Sequence, residues 1–350
     1  MSEPRPPFRS SLRSRLGDLP SWTGALTALV LLITITAILN PAFLRPVNLM
    51  NILHHNSMLG IIAVGMTLVI MLGGIDLSVG SLMAFAAGLA ALALARVRAG
   101  GEGPEGLAVL VALGVALGVG GAAGLVHGLL VARGRLAPFI ATLAGLVAYR
   151  SAVTWIADGG HLSARGSAVL AAIGRGIPVP FTNVGRPGGA PIPFSVPWAV
   201  VVFALVVVVG HLLLHYTRLS RHIIAIGANE EAARYAAIPI GRVKVLTYGI
   251  QGLLTGLAAL LYLARFESVN SSSAGQLLEL EVIAAVVIGG TRMQGGSGSV
   301  LGAAIGVLLI GVIRNMLILL DVNTFAHGLV MGLIIVAAVL AQRVGSRERG

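Results

Sequence analysis

Asp76, Ser78 and Ser81 are the residues whose types and spacing could do chemistry. One carboxylate and two hydroxyls follow Gly73-Gly74 inside the otherwise apolar run Gly65–Phe85. Such a set can hydrogen-bond a hydroxylated solute, hold a cation or pass a proton. In a soluble protein the segment is a tight turn between core elements. In a bilayer it is a helix interrupted at depth, tolerated only where the freed backbone is buried in protein or lines a cavity. Other ionisable groups in apolar surroundings are His127, Arg150, His211 and Arg314, and such groups commonly mark solute or ion paths. Arg314 is near enough to a segment end to snorkel, and the histidines read as packing residues. Asp76 and Arg150 remain, and a pair between them is one expectation.

The elements that must position these residues are built for lipid. Of the 350 residues, 56% are hydrophobic and 11% charged, and the mean hydropathy is +0.93, against roughly 25% charged residues in an ordinary soluble domain. Ten apolar segments read as spans: 22–39, 57–72, 79–95, 107–131, 138–157, 197–216, 245–264, 281–290, 299–320 and 324–341. Most approach the roughly 20 residues a crossing requires. The second and eighth are short, and each runs into a Gly-Gly pair, as discontinuous helices do. The expected fold is therefore an all-α, polytopic membrane protein of about ten transmembrane helices. Residues 1–21 form a basic tail, 22–341 the transmembrane unit and 342–350 a second tail.

The net charge of +11 follows this topology. With the N-terminus inside, fifteen Lys and Arg residues fall in cytoplasmic segments and seven in outer loops, the asymmetry of the positive-inside rule. Both termini are then cytoplasmic. There is no aromatic interleaving and no soluble basic domain, so nucleic acid is not an expected partner. Cysteine is absent, which removes disulfides, thiol chemistry and thiolate metal sites. No small-x-small cleavage site follows Leu39, so the first apolar segment reads as a retained span.

Forty-seven glycines recur at four-residue spacing: Gly114 and Gly118, then Gly120, Gly124 and Gly128, with further pairs Gly252–Gly256 and Gly302–Gly306. Such stripes let helix backbones approach closely within a bundle or at a dimer seam. Two loops are long. Residues 158–196 form an outer loop with a short helix expected near Ser167–Ile173. Residues 217–244 form a cytoplasmic loop in which Asn229-Glu230-Glu231-Ala232-Ala233-Arg234 begins a short helix. Asn229 is placed to cap it, the acids suit its N-terminal end, and Pro239 stops it. A weak echo links Val69–Ser81 with Ala285–Ser297, each passing through Gly-Gly, which suggests two related halves.

Three densest stretches, Gly65–Ser81, Gly227–Ile240 and Glu279–Thr291 with Gly295-Gly296 and Gly302–Gly306, occur in one order. In that order they resemble the membrane permease subunits of bacterial ABC importers for ribose and related monosaccharides, a family related to branched-chain amino-acid permeases. The likeness runs from about Asn48 to Gln342. It implies a bacterial inner-membrane permease working as a dimer with a second copy or a paralogue. It also implies an ABC ATP-binding subunit on the cytoplasmic side and an extracytoplasmic sugar-binding protein outside. Asn229, Glu230, Glu231, Ala232, Ala233 and Arg234 would form the coupling helix gripped by the ATPase. The family usually carries glycine where this chain has Ala237, and an apolar or small residue where it has Arg292. No cofactor is expected on this chain; ATP and Mg belong to the partner subunit.

The only lysine is Lys244, and no Gly-rich phosphate loop precedes it. The chain therefore has no motor of its own. An intramembrane serine protease is the enzymatic rival, with Ser297 in Gly295-Gly-Ser-Gly298 and His327 as base. About 20 residues of span, roughly 30 Å, separate the two, whereas a nucleophile and its base meet at about 3 Å. An ion-coupled carrier is the second rival, but it has no use for a charged inner helix. A permease for a nucleoside or another small polar solute stays open as an alternative. Substrate-facing candidates are Asn56, Thr67, Asp76, Ser78, Ser81 and Gln251, hydrogen-bonding groups suited to a polyol that must bind weakly and leave.

Overall fold

The structure is a computed structural model. It describes residue 20, residues 22–100, 104–183 and 193–323, and parts of 326–336. Both charged tails, Arg186 in the outer loop and most of the tenth expected span lie outside the described residues.

The described residues are overwhelmingly helical. The membrane-type helices are α1 (Thr23–Leu39), α2 (Pro46–Met71), α3 (Val79–Ala99), α4 (Glu105–Ala132), α5 (Pro138–Ile156), α7 (Trp198–Tyr216), α10 (Ile240–Phe266) and α12 (Val300–Leu319). All except α1 are long and apolar enough to cross a membrane. A short helix, α11 (Leu278–Ile288), stands where the eighth span was expected. Three further short helices among the described residues are α6 (Ala168–Arg175), α8 (Arg218–Ala228) and α9 (Glu230–Tyr235).

The second span differs from its apolar signature. It begins at Pro46 and runs 26 residues, about 39 Å at 1.5 Å per residue. Asn48, His55 and Asn56 break the apolar run in sequence, yet neighbouring helices bond Asn48 and His55, and Asn56 bonds back to its own helix. Asn48 exchanges amide hydrogen bonds with Asn315 at 3.0 and 2.8 Å. His55 meets Arg265 at 2.8 Å, and Asn56 donates to the Ile52 carbonyl at 2.7 Å. Helix α2 is consequently the buried axis of the molecule, with every residue from Asn56 to Met71 enclosed.

Glycine decides which helices touch. A methyl group on Gly120 would overlap the Gly252 carbonyl, and one on Gly124 the Tyr248 carbonyl. Conversely, a methyl on Gly252 or Gly256 would strike α4. The two stripes therefore face each other and weld α4 to α10 inside one chain. Gly302 and Gly306 do the same for α12 against α11. Gly114 and Gly118 meet nothing within 4 Å and face outward.

At the end of the bundle opposite α9, strand β1 (His161–Ser163) pairs antiparallel with β4 (Ser268–Asn270), which follows α10 directly. Strands β2 (Ile177–Asn183) and β3 (Pro193–Val196) form a second ribbon. Between them α6 is capped by Ser167 and lies so close to α10 that a side chain on Gly174 would overlap the Ala264 carbonyl. The described part of the long loop is thus tied down by its own chain.

Candidate functional site

Two helix ends built alike organise the α9 end of the molecule. Helix α2 finishes with Gly73 N donating to the Ile70 carbonyl at 2.9 Å and Gly74 N to Val69 at 3.0 Å, with Gly73 at φ +86°. Helix α11 finishes with Gly290 N donating to Val287 at 2.9 Å and Thr291 N to Val286 at 3.2 Å, with Gly290 at φ +93°. Each is a Schellman close with glycine in the left-handed position. The echo between the two Gly-Gly pairs is therefore an echo of helix termination.

The first break is short and sealed. Asp76 is 1% exposed; its Oδ1 accepts the Ser78 amide at 2.9 Å and the Ser78 hydroxyl at 2.6 Å. The Ser78 carbonyl in turn accepts the Leu82 amide and the Ser81 hydroxyl, at 2.8 and 2.9 Å, so the acid starts α3. Thr142 Oγ1 on α5 reaches the Ile75 carbonyl at 3.2 Å. Around this turn stand His127, Tyr149 and Tyr248, each within the electrostatic reach of Asp76. His127 Nε2 and Tyr149 Oη are 3.2 Å apart. Tyr248 is buried with its hydroxyl unpartnered among the described residues, aimed at Gly74. These three rings were not singled out for the site in the sequence. The one available signal was that His127 and Tyr248 adjoin the glycine stripes of α4 and α10.

The Asp76–Arg150 pair does not form. Arg150 Nη1 donates to the Ser271 carbonyl at 3.0 Å, toward the β1/β4 end, while Asp76 lies at the α9 end of the same bundle. Arg314 likewise has a partner: it forms an ion pair with Glu281 on α11 instead of merely reaching for the interface. His327 Nε2 lies 3.0 Å from the Val322 carbonyl, and no catalytic pairing with Ser297 forms.

The remaining pathway candidates are enclosed between helices. Thr67 Oγ1 returns to the Ala63 carbonyl at 2.7 Å. Asn56 packs on Gly311 of α12. Gln251 is fully buried on α10 against Gly65, and neither end of its amide has a partner among the described residues. Asp76, Ser78 and Ser81 are brought together; Asn56, Thr67 and Gln251 are separate from them.

Helix α9 is fixed at both ends. Asn229 Oδ1 accepts the Ala232 amide at 2.9 Å, a cap worth about 1 kcal/mol. Glu230 bonds Lys244 of α10 at 2.9 Å and lies 3.7 Å from Arg234. The helix closes with the same Schellman pattern, Ala237 N to Arg234 at 3.1 Å and Ile238 N to Ala233 at 3.1 Å. Here the left-handed residue is Ala237, at φ +56°. Ala233 points inward and is 3% exposed, whereas Glu231, Ala232, Arg234 and Tyr235 face outward. Tyr235, 84% exposed, is on this face too; the sequence placed it on the short helix without singling it out.

One residue before α9 joins the two breaks. A methyl on Gly227 of α8 would overlap the Met71 carbonyl at the end of α2 and come within 2.6 Å of Gly296 N. Gly296 N itself donates to the Met71 carbonyl at 2.9 Å. A methyl on Gly295 would lie 3.1 Å from Gly73 N. The helix leading into α9 thus rests, backbone on backbone, against both interrupted helices.

A polytopic bundle whose described residues include seven helices long and apolar enough to cross a membrane, two of its helices interrupted and the helix before a short charged one resting on both breaks, has the architecture of a multi-pass membrane protein. The chain belongs to the family described as branched-chain amino acid transport system / permease component, whose model matches residues 48–339. It is 38% identical over 320 residues to the ribose import permease protein RbsC of Bacillus subtilis, covering 91% of this chain and 92% of that one. Identity to the same-named protein of Escherichia coli K12 is 39% over 316 residues, 90% and 92% of the two chains. The L-arabinose ABC transporter permease protein AraH of Azospirillum brasilense is 33% identical over 340 residues, 96% and 92%. No solved structure matches the chain.

Proposed function

We propose that this chain is the membrane-spanning subunit of an ATP-driven importer and passes a monosaccharide, of the pentose class, across the bacterial plasma membrane with both termini in the cytoplasm. A cytoplasmic ATP-binding subunit grips α9 through Glu231, Ala232, Arg234 and Tyr235, while ATP and Mg stay on that subunit. A soluble sugar-binding protein docks at the β1/β4 end, and a second permease copy or a paralogue completes the pathway. The relatives named for ribose and L-arabinose, similar over nine-tenths of the chain, support the solute class.

The observation that supports the coupling role is the seating of α8, which leads directly into α9, on both breaks through Gly227. Ala233 anchors the helix to the bundle, and its outward face is left for a partner. A push on that face would reach the end of α2 at Met71 and the turn after α11 at Gly296 through backbone contacts of Gly227. Asp76, with Ser78 and Ser81, sits at the first of these ends, where movement of the turn would open or close the buried polar cluster. Asn56, Thr67 and Gln251 serve the path only if the surrounding helices part.

The test is reconstitution of the permease with its ATPase and binding protein in proteoliposomes supplied with labelled ribose, L-arabinose or xylose. ATP-dependent uptake of one of them is expected. Glu231→Ala and Arg234→Ala are expected to keep ATP hydrolysis while uptake falls about tenfold, the loss of roughly 1.4 kcal/mol of coupling. Unchanged uptake in both variants refutes the coupling assignment. Uptake of a nucleoside with none of the sugars refutes the solute class.

A further inference from the structure

The α9 end of the bundle carries a groove outside the site described above. Gly128 of α4 sits against the Val245 backbone of α10, a methyl there lying 2.6 Å from Val245 Cα. One turn further on the helices separate: the nearest atom to a methyl on Gly241 is Ala132 Cβ, 3.9 Å away. The opening holds a cavity of about 450 Å³ lined by Leu129, Ala132, Arg133, Arg242, Val245 and Leu246.

Its two parts ask for different things. Leu129 and Leu246, 39% and 53% exposed, form an apolar slot continuous with the membrane-facing sides of two spanning helices. At the rim stand Arg133 and Arg242, both exposed. Neither takes part in an ion pair among the described residues, where the pairs are Arg234–Glu230, Lys244–Glu230 and Arg314–Glu281. Of the two acids of the adjoining helix, Glu230 is already held by Lys244 and Arg234, and Glu231 faces outward without an ion pair among the described residues. Two uncompensated guanidiniums above an aliphatic slot at the end of spanning helices suit a ligand with an anionic head and an acyl tail. Guanidinium binds phosphate oxygens bidentately, and basic pockets between helices at a membrane face are the setting for lipid headgroups.

We infer that the groove between the end of α4 and the start of α10 binds an anionic phospholipid, its phosphate between Arg133 and Arg242 and an acyl chain along Leu129, Val245 and Leu246. This site depends on membrane insertion and not on which solute is carried. Arg242 is two residues from Lys244, which ties α10 to α9, so the lipid sits beside the coupling helix and steadies the start of α10.

The assembled importer, reconstituted in equal phosphatidylglycerol and phosphatidylcholine, is extracted gently and weighed by native mass spectrometry. The wild type is expected to retain phosphatidylglycerol over phosphatidylcholine by roughly thirtyfold, about 1 kcal/mol for each of the two arginines. The double variant Arg133→Gln/Arg242→Gln loses that preference, while Arg218→Gln, outside the groove, keeps it. Val245→Trp fills the slot with both arginines intact and lowers retention as well. Selectivity surviving in both groove variants overturns the assignment. So does stripping of the lipid by inorganic phosphate at millimolar concentration, which would make this a free-phosphate site. A cysteine at Leu246 that cross-links to the ATPase or to a second permease, with no lipid retained, overturns it in favour of a protein interface.

Discussion

The two interrupted helices end by the same backbone device and serve opposite environments. Between α2 and α3 seven residues, Leu72–Ser78, make a sealed turn whose acid is 1% exposed. Between α11 and α12 eleven residues, Gly289–Ser299, make an open one in which Arg292, Met293 and Gln294 are exposed. The helix arriving at the first is 26 residues long; the helix arriving at the second is 11. A buried turn must satisfy its own polar groups, and Asp76 with Ser78 does so. The second turn buries Thr291, whose Oγ1 has no partner among the described residues, but leaves Arg292 and Gln294 to water, and glycine at positions 295 and 296, with φ of +88° and +74°, supplies its shape. Likeness in sequence thus fixes how a helix stops, while depth in the bundle decides what the stopped end can do.

The contact that unites the breaks gives the largest expected effect. Gly227→Val forces a branched side chain into the Met71 carbonyl, and overpacking of this kind costs about 1–3 kcal/mol or more. Uptake in proteoliposomes should fall at least tenfold. Gly24→Val, in open space, should transport normally; equal loss in both would remove the special status of the junction.

Cysteine labelling separates the breaks next. The chain has no native thiol, so Met293→Cys and Ser78→Cys report exposure alone. An impermeant maleimide should modify the first at least tenfold faster, since a thiol reacts according to its access. Similar rates would erase the sealed/open distinction.

Asp76→Asn tests the chemistry of the sealed turn. The amide oxygen can still accept from Ser78, so assembly, measured by size-exclusion yield, should change little, about 1 kcal/mol at most. Uptake should fall several-fold because the charge facing His127, Tyr149 and Tyr248 is gone. Parallel loss of assembly and uptake would make Asp76 structural.

The smallest effect concerns the third Schellman close. Ala237 occupies the left-handed position that Gly73 and Gly290 fill at the two breaks. An L side chain there costs roughly 1 kcal/mol. Ala237→Gly should therefore raise the midpoint of thermal unfolding by a few degrees. A lowered midpoint would mean the Ala237 methyl group contributes more than its strain removes.

That third close also shows how far the sequence could be read. Asn229 as cap and Pro239 as stop were visible, since capping and chain stiffness act within four residues. The family's glycine at the Ala237 position was visible as a departure, but its consequence waited on φ. The extent of α2 was not visible. Asn48, His55 and Asn56 look like a loop until α10 and α12 supply Arg265, Asn315 and Gly311. The Asp76–Arg150 expectation failed for the same reason: two charges in apolar segments say nothing about their relative depth.

Sequence by itself determined that this chain lives in lipid, that it stops its helices at Gly-Gly, and that it carries no phosphate loop. Each follows from composition or from residues adjacent along the chain. Only tertiary structure decided which glycine stripes face each other, that Gly227 bears on both breaks, and that Glu230 points to Lys244 while Glu231 points outward. Those are contacts between distant segments, fixed by helix phase and depth, and periodicity along one segment contains neither.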